Sequence, residues 1–213
     1  AVSKKITYLL VETANQYTGA VISIILAKDL LSNFFKKENE NKERNNHIIG
    51  DKNLPYIIID EFSGENLINI KYEQLLKYAQ PEDGEAFKVL IADFVTTEDG
   101  TGIVHLAPSF GADDNRVAKQ NGIGSLTLVN KQGRFVDEVT DFAGLYVKDE
   151  FYAEGEEKPK LSVDIQIVIK LKEENLCFKA EKYKHSYPHC WRTDKPILYY
   201  PMDSWFVKTT DYK

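Results

Sequence analysis

The side chains best suited to chemistry lie between Asp99 and Arg116, in the stretch D-G-T-G-I-V-H-L-A-P-S-F-G-A-D-D-N-R. The imidazole of His105 is a candidate general base, and a carboxylate at Asp113 or Asp114 can pair with an amine. No Ser-His-Asp set accompanies them, so the chain offers no evident protein nucleophile. These residue types suit a pocket that sets a carboxylate against an amine.

The elements around these residues must bring them together. Residues 101–107 alternate in the manner of a strand, which Pro108 cannot continue. Asp113 or Asp114 is suited to cap a short helix that runs to about residue 121. A lone strand histidine and a capping aspartate are also common in purely structural roles, so the pattern alone leaves both interpretations open.

The literal string in this stretch adds a second kind of information. G-T-G-I-V-H-L-A-P-S-F-G-A-D-D closely resembles G-T-G-x-V-H-x-A-P-x-[HF]-G-x-[DE]-D, the signature of the editing domain inserted into isoleucyl-tRNA synthetases. His105 and the pair Ala107-Pro108 favour the isoleucyl branch, since leucyl editing domains usually place Met, and valyl ones Lys, in the corresponding strand. The resemblance spans roughly residues 71–208, while the first seventy residues match only loosely.

Three further segments carry the resemblance. They are K-Y-E-Q-L-L from Lys71, with Gln74 where Pro is usual, T-D-F-A-G-L-Y-V from Thr140, and H-S-Y-P-H-C-W-R-T-D-K-P-I-L-Y-Y-P-M-D-S-W-F-V from His185. Cys190 beside a histidine is a combination that can bind zinc. Thr193, however, replaces the second cysteine of the C-W-R-C that some relatives carry. We therefore predict no metal, and no cofactor in this domain, because ATP and magnesium would belong to a catalytic domain.

The resemblance implies hydrolysis of valine misattached to tRNA(Ile) by a positioned water. Isoleucyl-tRNA synthetases are the standard example of the underlying problem, since one methylene separates valine from isoleucine by only ~1–3 kcal/mol. By resemblance, Asp114 holds the α-ammonium of the valine, and His105 lines the same pocket and excludes isoleucine. The other substrate-binding residues that it implies are Thr101, Gly102, Phe110 and Asp113. The choice between pre-transfer and post-transfer editing stays open, as does the identity of the general base.

The expected partners are the acceptor end of tRNA(Ile), its misattached valine and the rest of a synthetase. A net charge of −6 argues against a broad basic surface, so RNA contact must be local. The candidate tRNA-binding residues are Lys179, Lys182, Lys184 and Arg192. Solvated positions beside Glu181 and Asp194 are an equally good interpretation of the same cluster.

Composition predicts a globular domain of the reducing cytoplasm. The 213 residues include only two cysteines, and no apolar run approaches the ~20 residues that span a bilayer. The signatures H-I-G-H and K-M-S-K-S and the Thr-rich T-T-T-P-W-T-L-P-x-N are missing, as expected of an editing domain excised from a longer synthetase. We treat residues 1–213 as this single domain, with 36–53 as an exposed loop.

Strand-like runs separated by turns predict a mixed, β-rich α/β fold: a β-barrel core flanked by a few helices, of the type found in valyl, isoleucyl and leucyl editing domains. The predicted strands are 5–11, 20–27, 54–60, 86–95, 101–107, 125–129, 133–136, 177–186 and 197–202. The predicted helices are 28–37, one that Asp113 or Asp114 caps and that runs to about 121, and one that Ser162 caps and that runs to about 175. Trp205-Phe206 is predicted to be a hydrophobic anchor. The alternatives are a non-catalytic RNA- or protein-binding barrel and the editing domain of a valyl or leucyl synthetase.

Overall fold

The structure is a computed structural model that describes residues 1–183 and 186–212. Its strands are β1 (Thr7–Ala14), β2 (Val21–Ala27) and β3 (Tyr56–Ser63), and its α-helices are α1 (Ala112–Gln120) and α2 (Val163–Glu173). Short 3-10 helices occupy Lys28–Asn33, Lys37–Asn39, Gly64–Leu67, Asp149–Phe151 and Thr209–Tyr212. In the described part of the chain, no helix is both long and apolar enough to cross a membrane.

The three strands form an antiparallel sheet in the order β2-β1-β3. β1 faces β2 from Tyr8 opposite Ala27 to Ala14 opposite Val21, and the register of β1 with β3 shifts between Leu10 and Val11. The mixed α/β class is therefore confirmed. The described residues form an open three-stranded sheet, and a closed barrel is not seen among them.

The central strand β1 is apolar on both faces because each face lies against a cluster of side chains. On one face, Leu9 and Val11 pack with Leu26, Phe35, Leu54 and Tyr56. On the other face, the fully buried Tyr8 packs with Val2, Ala27, Leu30 and Leu67. A strand buried on both sides explains why residues 7–11 show an almost continuous apolar run rather than strict alternation.

The predicted helix over 28–37 is instead a 3-10 helix that ends at Asn33. The apolar stripe proposed for it is still in the core: Leu30 and Phe35 are buried, and Leu31 and Phe34 pack against the same clusters. Beyond it, Arg44 reaches back to Glu12 on β1, with 2.6 Å between Nε and Oε1.

The predicted strands over 86–95 and 101–107 are absent, and this prediction was wrong. Each segment makes scattered single contacts with other parts of the chain instead of a ladder. Val2 bridges Ile91, Lys71 bridges Lys88, and Ala27 donates to the carbonyl of Thr101 at 2.8 Å. The alternation of residue types was real, but backbone groups paired one at a time do not make a strand.

The second half of the chain is held together by turns around α2. The predicted hairpin near residue 130 is present as a turn: Gly133 donates to the carbonyl of Asn130 at 2.9 Å, and Val129 bridges Phe135. Ser162 occupies the N-cap position of α2, as expected, but its side chain makes no capping bond.

Two predicted strands and the predicted anchor in the last quarter of the chain are not seen. On α2, Ile165 and Ile169 are 47% and 40% exposed. Residues 197–202 form no strand, and neither do the described residues of 177–186. Trp205 and Phe206 do not anchor anything in this chain, since they are 103% and 89% exposed.

Candidate functional site

The G-T-G portion of the signature is fixed to the end of the sheet. Gly102 is buried with φ +73°, and its carbonyl accepts a hydrogen bond from the Oη of Tyr8 at 2.8 Å. A Cβ at this position would lie 2.5 Å from the Cβ of Ala27 on β2. Glycine is thus required by the packing of the segment on β2. Its predicted role of letting the backbone approach a substrate stays a prediction.

The next residues run past the amino terminus of the chain. Val104 donates its amide to the carbonyl of Ala1 at 3.0 Å, and the Ala1 ammonium donates to the carbonyl of Val104 at 2.5 Å.

Asp114 lies at the third position of α1, and its carboxylate closes the loop before the helix. Oδ2 accepts the amide of Ala107 at 3.0 Å, while the Ala107 carbonyl accepts the amides of Phe110 and Gly111. Gly111 is the N-cap residue, so the expectation that Asp113 or Asp114 caps the helix was wrong. A Cβ on Gly111 would lie 2.6 Å from Oδ2 of Asp114, which explains the glycine before the helix.

Two side chains that the sequence did not single out tie this loop to the next segment. The hydroxyl of the buried Ser109 donates to the carbonyl of Leu126 at 2.8 Å and accepts from Thr127 at 2.9 Å. Asn115 donates to the carbonyl of Pro108 at 3.0 Å. Small polar residues beside a proline are a weak sequence signal, because the same types are common in solvated turns.

The other predicted substrate-binding residues surround this loop without converging on one enclosed cavity. His105 is exposed. Asp113 is 70% exposed and pairs with Arg116 at 2.9 Å, whereas Phe110 lies edge-on to Tyr200 with 6.3 Å between ring centroids. What the structure brings together is the carboxylate of Asp114 and the loop amide of Ala107.

The clearest clefts of the described chain lie elsewhere. One, of about 550 Å³, is open to solvent and lined by Tyr72, Tyr78 and Phe87 with polar neighbours. A second, of about 350 Å³, is lined by Asp141, Phe142, Gln166, Ile169, Lys170 and Glu173. His105 and Asp114 line neither of them.

A polar network lies where the two clefts meet. Tyr78 donates to Oδ2 of Asp141 at 2.6 Å, and Lys170 pairs with Asp141 at 3.1 Å and Glu174 at 2.7 Å. Burial and the bond to Asp141 raise the pKa of Tyr78 to about 12. The bonds from Tyr78 and Lys170 lower the pKa of Asp141, so the network holds one carboxylate ionised and one phenol protonated.

Two of the predicted tRNA-binding residues, Lys179 and Arg192, contact other side chains of the chain. Lys179 pairs with Glu181 at 2.9 Å and lies 4.8 Å from the ring centroid of Phe34. Arg192 lies over Trp191 at 4.6 Å, and Lys182 is exposed. Lys184 lies outside the described residues. These contacts fit solvated, partly stacked positions at least as well as a phosphate-binding patch.

No group of three or more His, Cys, Asp or Glu side chains suited to a metal ion occurs in residues 1–183 and 186–212. His185 lies outside these ranges. The thiol of Cys190 has a lowered pKa because the hydroxyl of Thr193 and the amides of Arg192 and Thr193 bond to its sulfur. The residue that replaces the second cysteine of the C-W-R-C pattern thus stabilises the first as a thiolate.

Comparison with known proteins identifies the family, although no protein-family model matches the chain. The chain is 51% identical to an isoleucine–tRNA ligase of Cytophaga hutchinsonii over 232 aligned positions, which cover 100% of this chain and 21% of that protein. Isoleucine–tRNA ligases of Porphyromonas gingivalis and Bacteroides fragilis are 43% and 42% identical, again over 100% of this chain and 21% of their own length.

These relatives define the class of protein as an aminoacyl-tRNA synthetase. Within that class, the chain belongs to the isoleucine–tRNA ligase family, and it spans about one fifth of the length of the relatives it matches. The similarity includes the first seventy residues, whose resemblance to the family was loose on the motifs alone.

Proposed function

We propose that this chain is the editing domain of an isoleucine–tRNA ligase and that it hydrolyses valine misattached to tRNA(Ile). The observation that carries the proposal is the environment of Asp114. Its carboxylate stands on the first turn of α1, where the helix dipole favours a negative charge, and the amide of Ala107 fixes one of its oxygens.

The proposed binding step uses the carboxylate of Asp114. Its Oδ2 already accepts the amide of Ala107, which leaves Oδ1 for a substrate ammonium. Binding there would hold the ester of the aminoacyl-tRNA beside the loop at 107–111.

The proposed chemical step is attack of water on the ester carbonyl. The bond between the acyl carbon and the ribose oxygen breaks, the ribose oxygen leaves with one proton of the water, and valine forms as a carboxylate as the second proton passes to solvent. His105 is exposed on the preceding segment, where it can line the substrate site and act as the candidate general base. As a wall of the site, it would exclude the larger side chain of isoleucine.

The test is a deacylation assay with Val-tRNA(Ile) on the full-length ligase, comparing Asp114→Asn with Asp113→Asn. Asparagine keeps the size and the acceptor oxygen for the Ala107 amide but removes the charge. We expect Asp114→Asn to abolish valine clearance while isoleucine activation persists, and Asp113→Asn to retain clearance, because Asp113 faces solvent and Arg116. Normal editing by Asp114→Asn would rule out a charge-paired ammonium.

The size filter has its own test. His105→Ala should enlarge the site and allow hydrolysis of Ile-tRNA(Ile), which the unmodified ligase spares. If this variant still spares Ile-tRNA(Ile), then His105 is not the residue that excludes isoleucine.

A second candidate function is supported by the bond between Asp114 and Ala107. That bond gives Asp114 a purely structural role in closing the loop, as expected if the chain is a non-catalytic RNA- or protein-binding module. In that case Val-tRNA(Ile) would be hydrolysed at its spontaneous rate with or without the chain. The partners that we propose under the editing function are the tRNA acceptor end, its valine and the remainder of the ligase.

A further inference from the structure

The loop that holds Asp114 is itself fixed at a second point. We call residues 107–111 the signature loop. At its first residue, the amide of Ala107 donates to Oδ2 of Asp114 at 3.0 Å. The carbonyl of Ala107 accepts the amides of Phe110 and Gly111 at 2.9 and 3.1 Å, so the loop closes on itself as a tight turn. The direction of the Asp114 carboxylate therefore depends on where this loop lies.

The second point is the side chain of Ser109. It is only 7% exposed, and its hydroxyl donates to the carbonyl of Leu126 at 2.8 Å and accepts the hydroxyl proton of Thr127 at 2.9 Å. Because Thr127 donates to the Ser109 oxygen, the proton of Ser109 is left for Leu126. Breaking this bond would leave a buried carbonyl without a donor, so the hydroxyl holds its loop firmly.

The segment that receives Ser109 is held in turn by the bend near residue 130. The amide of Val136 donates to the carbonyl of Leu128 at 3.1 Å, and Val129 bridges Phe135. The signature loop thus lies between two supports, α1 through Asp114 and residues 126–127 through Ser109. Without the second support, the loop and the carboxylate bonded to it would be held from the side of α1.

We propose that Ser109 is a positioning residue for editing: it fixes the signature loop so that the Asp114 carboxylate keeps its second oxygen where the substrate ammonium binds. This inference rests on the proposed function. Ser109 is buried and its proton is used, so it acts through Ala107 and Asp114 rather than on the substrate. A side chain that only stabilises the fold alters the amount of folded ligase. A positioning residue alters how tightly the folded ligase binds its substrate.

The experiment measures KM and kcat for hydrolysis of Val-tRNA(Ile) by the full-length ligase that contains this chain. Ser109→Ala should raise KM about tenfold and leave kcat within about twofold, because a displaced carboxylate weakens an ammonium contact that is made before the chemical step. Ser109→Thr keeps the hydroxyl and should bring KM back towards its original value. Partial unfolding would give the opposite pattern, a lower kcat at an unchanged KM.

Thr13→Val is the matched control. Thr13 is buried on β1 at 0% exposure, and its hydroxyl donates to the carbonyl of Pro55 at 2.7 Å, so this variant loses the same kind of bond outside the signature loop. It should leave KM unchanged. An equal rise in KM for Thr13→Val and Ser109→Ala would overturn the proposal, since the effect would then be one of general stability.

Asp114→Asn, measured in the same assay, separates this inference from the proposed function. If Asp114→Asn loses editing while Ser109→Ala keeps its KM or changes kcat alone, the proposed function stands and Ser109 is not a positioning residue. If Asp114→Asn edits normally, the proposed function fails and this inference fails with it.

A second variant serves if Ser109→Ala does not fold. Thr127→Val removes the bond that orients the Ser109 hydroxyl, and it should raise KM about threefold. An unchanged KM for Thr127→Val would then overturn the proposal.

Discussion

Replacing Gly102 by alanine is the sharpest test of how the signature segment is held. The added Cβ would lie 2.5 Å from the Cβ of Ala27, a separation that ordinary packing does not allow, and the residue would keep a φ of +73°. The left-handed backbone costs an alanine about 1–2 kcal/mol, and forcing an extra methyl into a packed site adds about 1–3 kcal/mol. We therefore expect Gly102→Ala to lower the free energy of unfolding by about 2–5 kcal/mol.

Gly100→Ala is the matched control for this variant. Gly100 also has a positive φ, +66°, but nothing lies within 4 Å of the Cβ that it would gain. Its substitution should cost only the backbone contribution of about 1–2 kcal/mol. The difference between the two variants, measured by urea denaturation, isolates the close approach of Gly102 to β2.

The variant Ala27→Gly on β2 tests the same contact from the other side. If the clash with Ala27 is the cause, then Ala27→Gly should restore stability in the Gly102→Ala background, with a coupling of about 1–3 kcal/mol. Equal costs for Gly100→Ala and Gly102→Ala, with no coupling to Ala27, would refute the packing explanation. The glycine would then have to be explained by an approaching ligand instead.

The remaining predictions concern the polar groups that fix the same framework. Tyr8→Phe should cost about 1–3 kcal/mol in urea denaturation, because it leaves the buried amide of Ser3 and the carbonyl of Gly102 without their shared hydroxyl. Tyr78 should titrate near 12 by ultraviolet absorbance, with Tyr78→Phe identifying its signal. Because its folded pKa is raised, its contribution to stability should be complete below the ordinary value of ~10 and disappear as the pH rises through about 12. Asp141→Asn should move this titration towards its ordinary value, and an unmoved titration would contradict the role assigned to Asp141.

The sequence predicted the sheet well where the paired strands are neighbours in the sequence. The predicted strands 5–11 and 20–27 correspond to β1 and β2, and the amide of Asn15 donates to the carbonyl of Ala20 at 2.8 Å in the turn that joins them. The prediction failed where a segment forms its backbone hydrogen bonds with residues that are far away in the sequence. Residues 101–107 alternate like a strand, but their partners are the first residue of the chain and the end of β2, which no local pattern reveals.

The same reasoning explains the error at the C-terminal end. Trp205 and Phe206 were predicted to be an anchor because large aromatic residues are usually buried, yet both are exposed. A large apolar side chain is buried only where other residues pack against it, and residue type alone does not predict that.

For Asp114, the structure adds a local contact to what the motif alone predicts. The motif singled out this residue, and the structure adds that one carboxylate oxygen closes the loop at Ala107. A carboxylate with one oxygen fixed by the backbone cannot rotate freely, so it presents the other oxygen in a defined direction. Such preorganisation lowers the entropic cost of binding an ammonium. The structural role of Asp114 therefore supports the proposed binding role, and the asparagine variant separates the two because it keeps the bond to Ala107 and loses the charge.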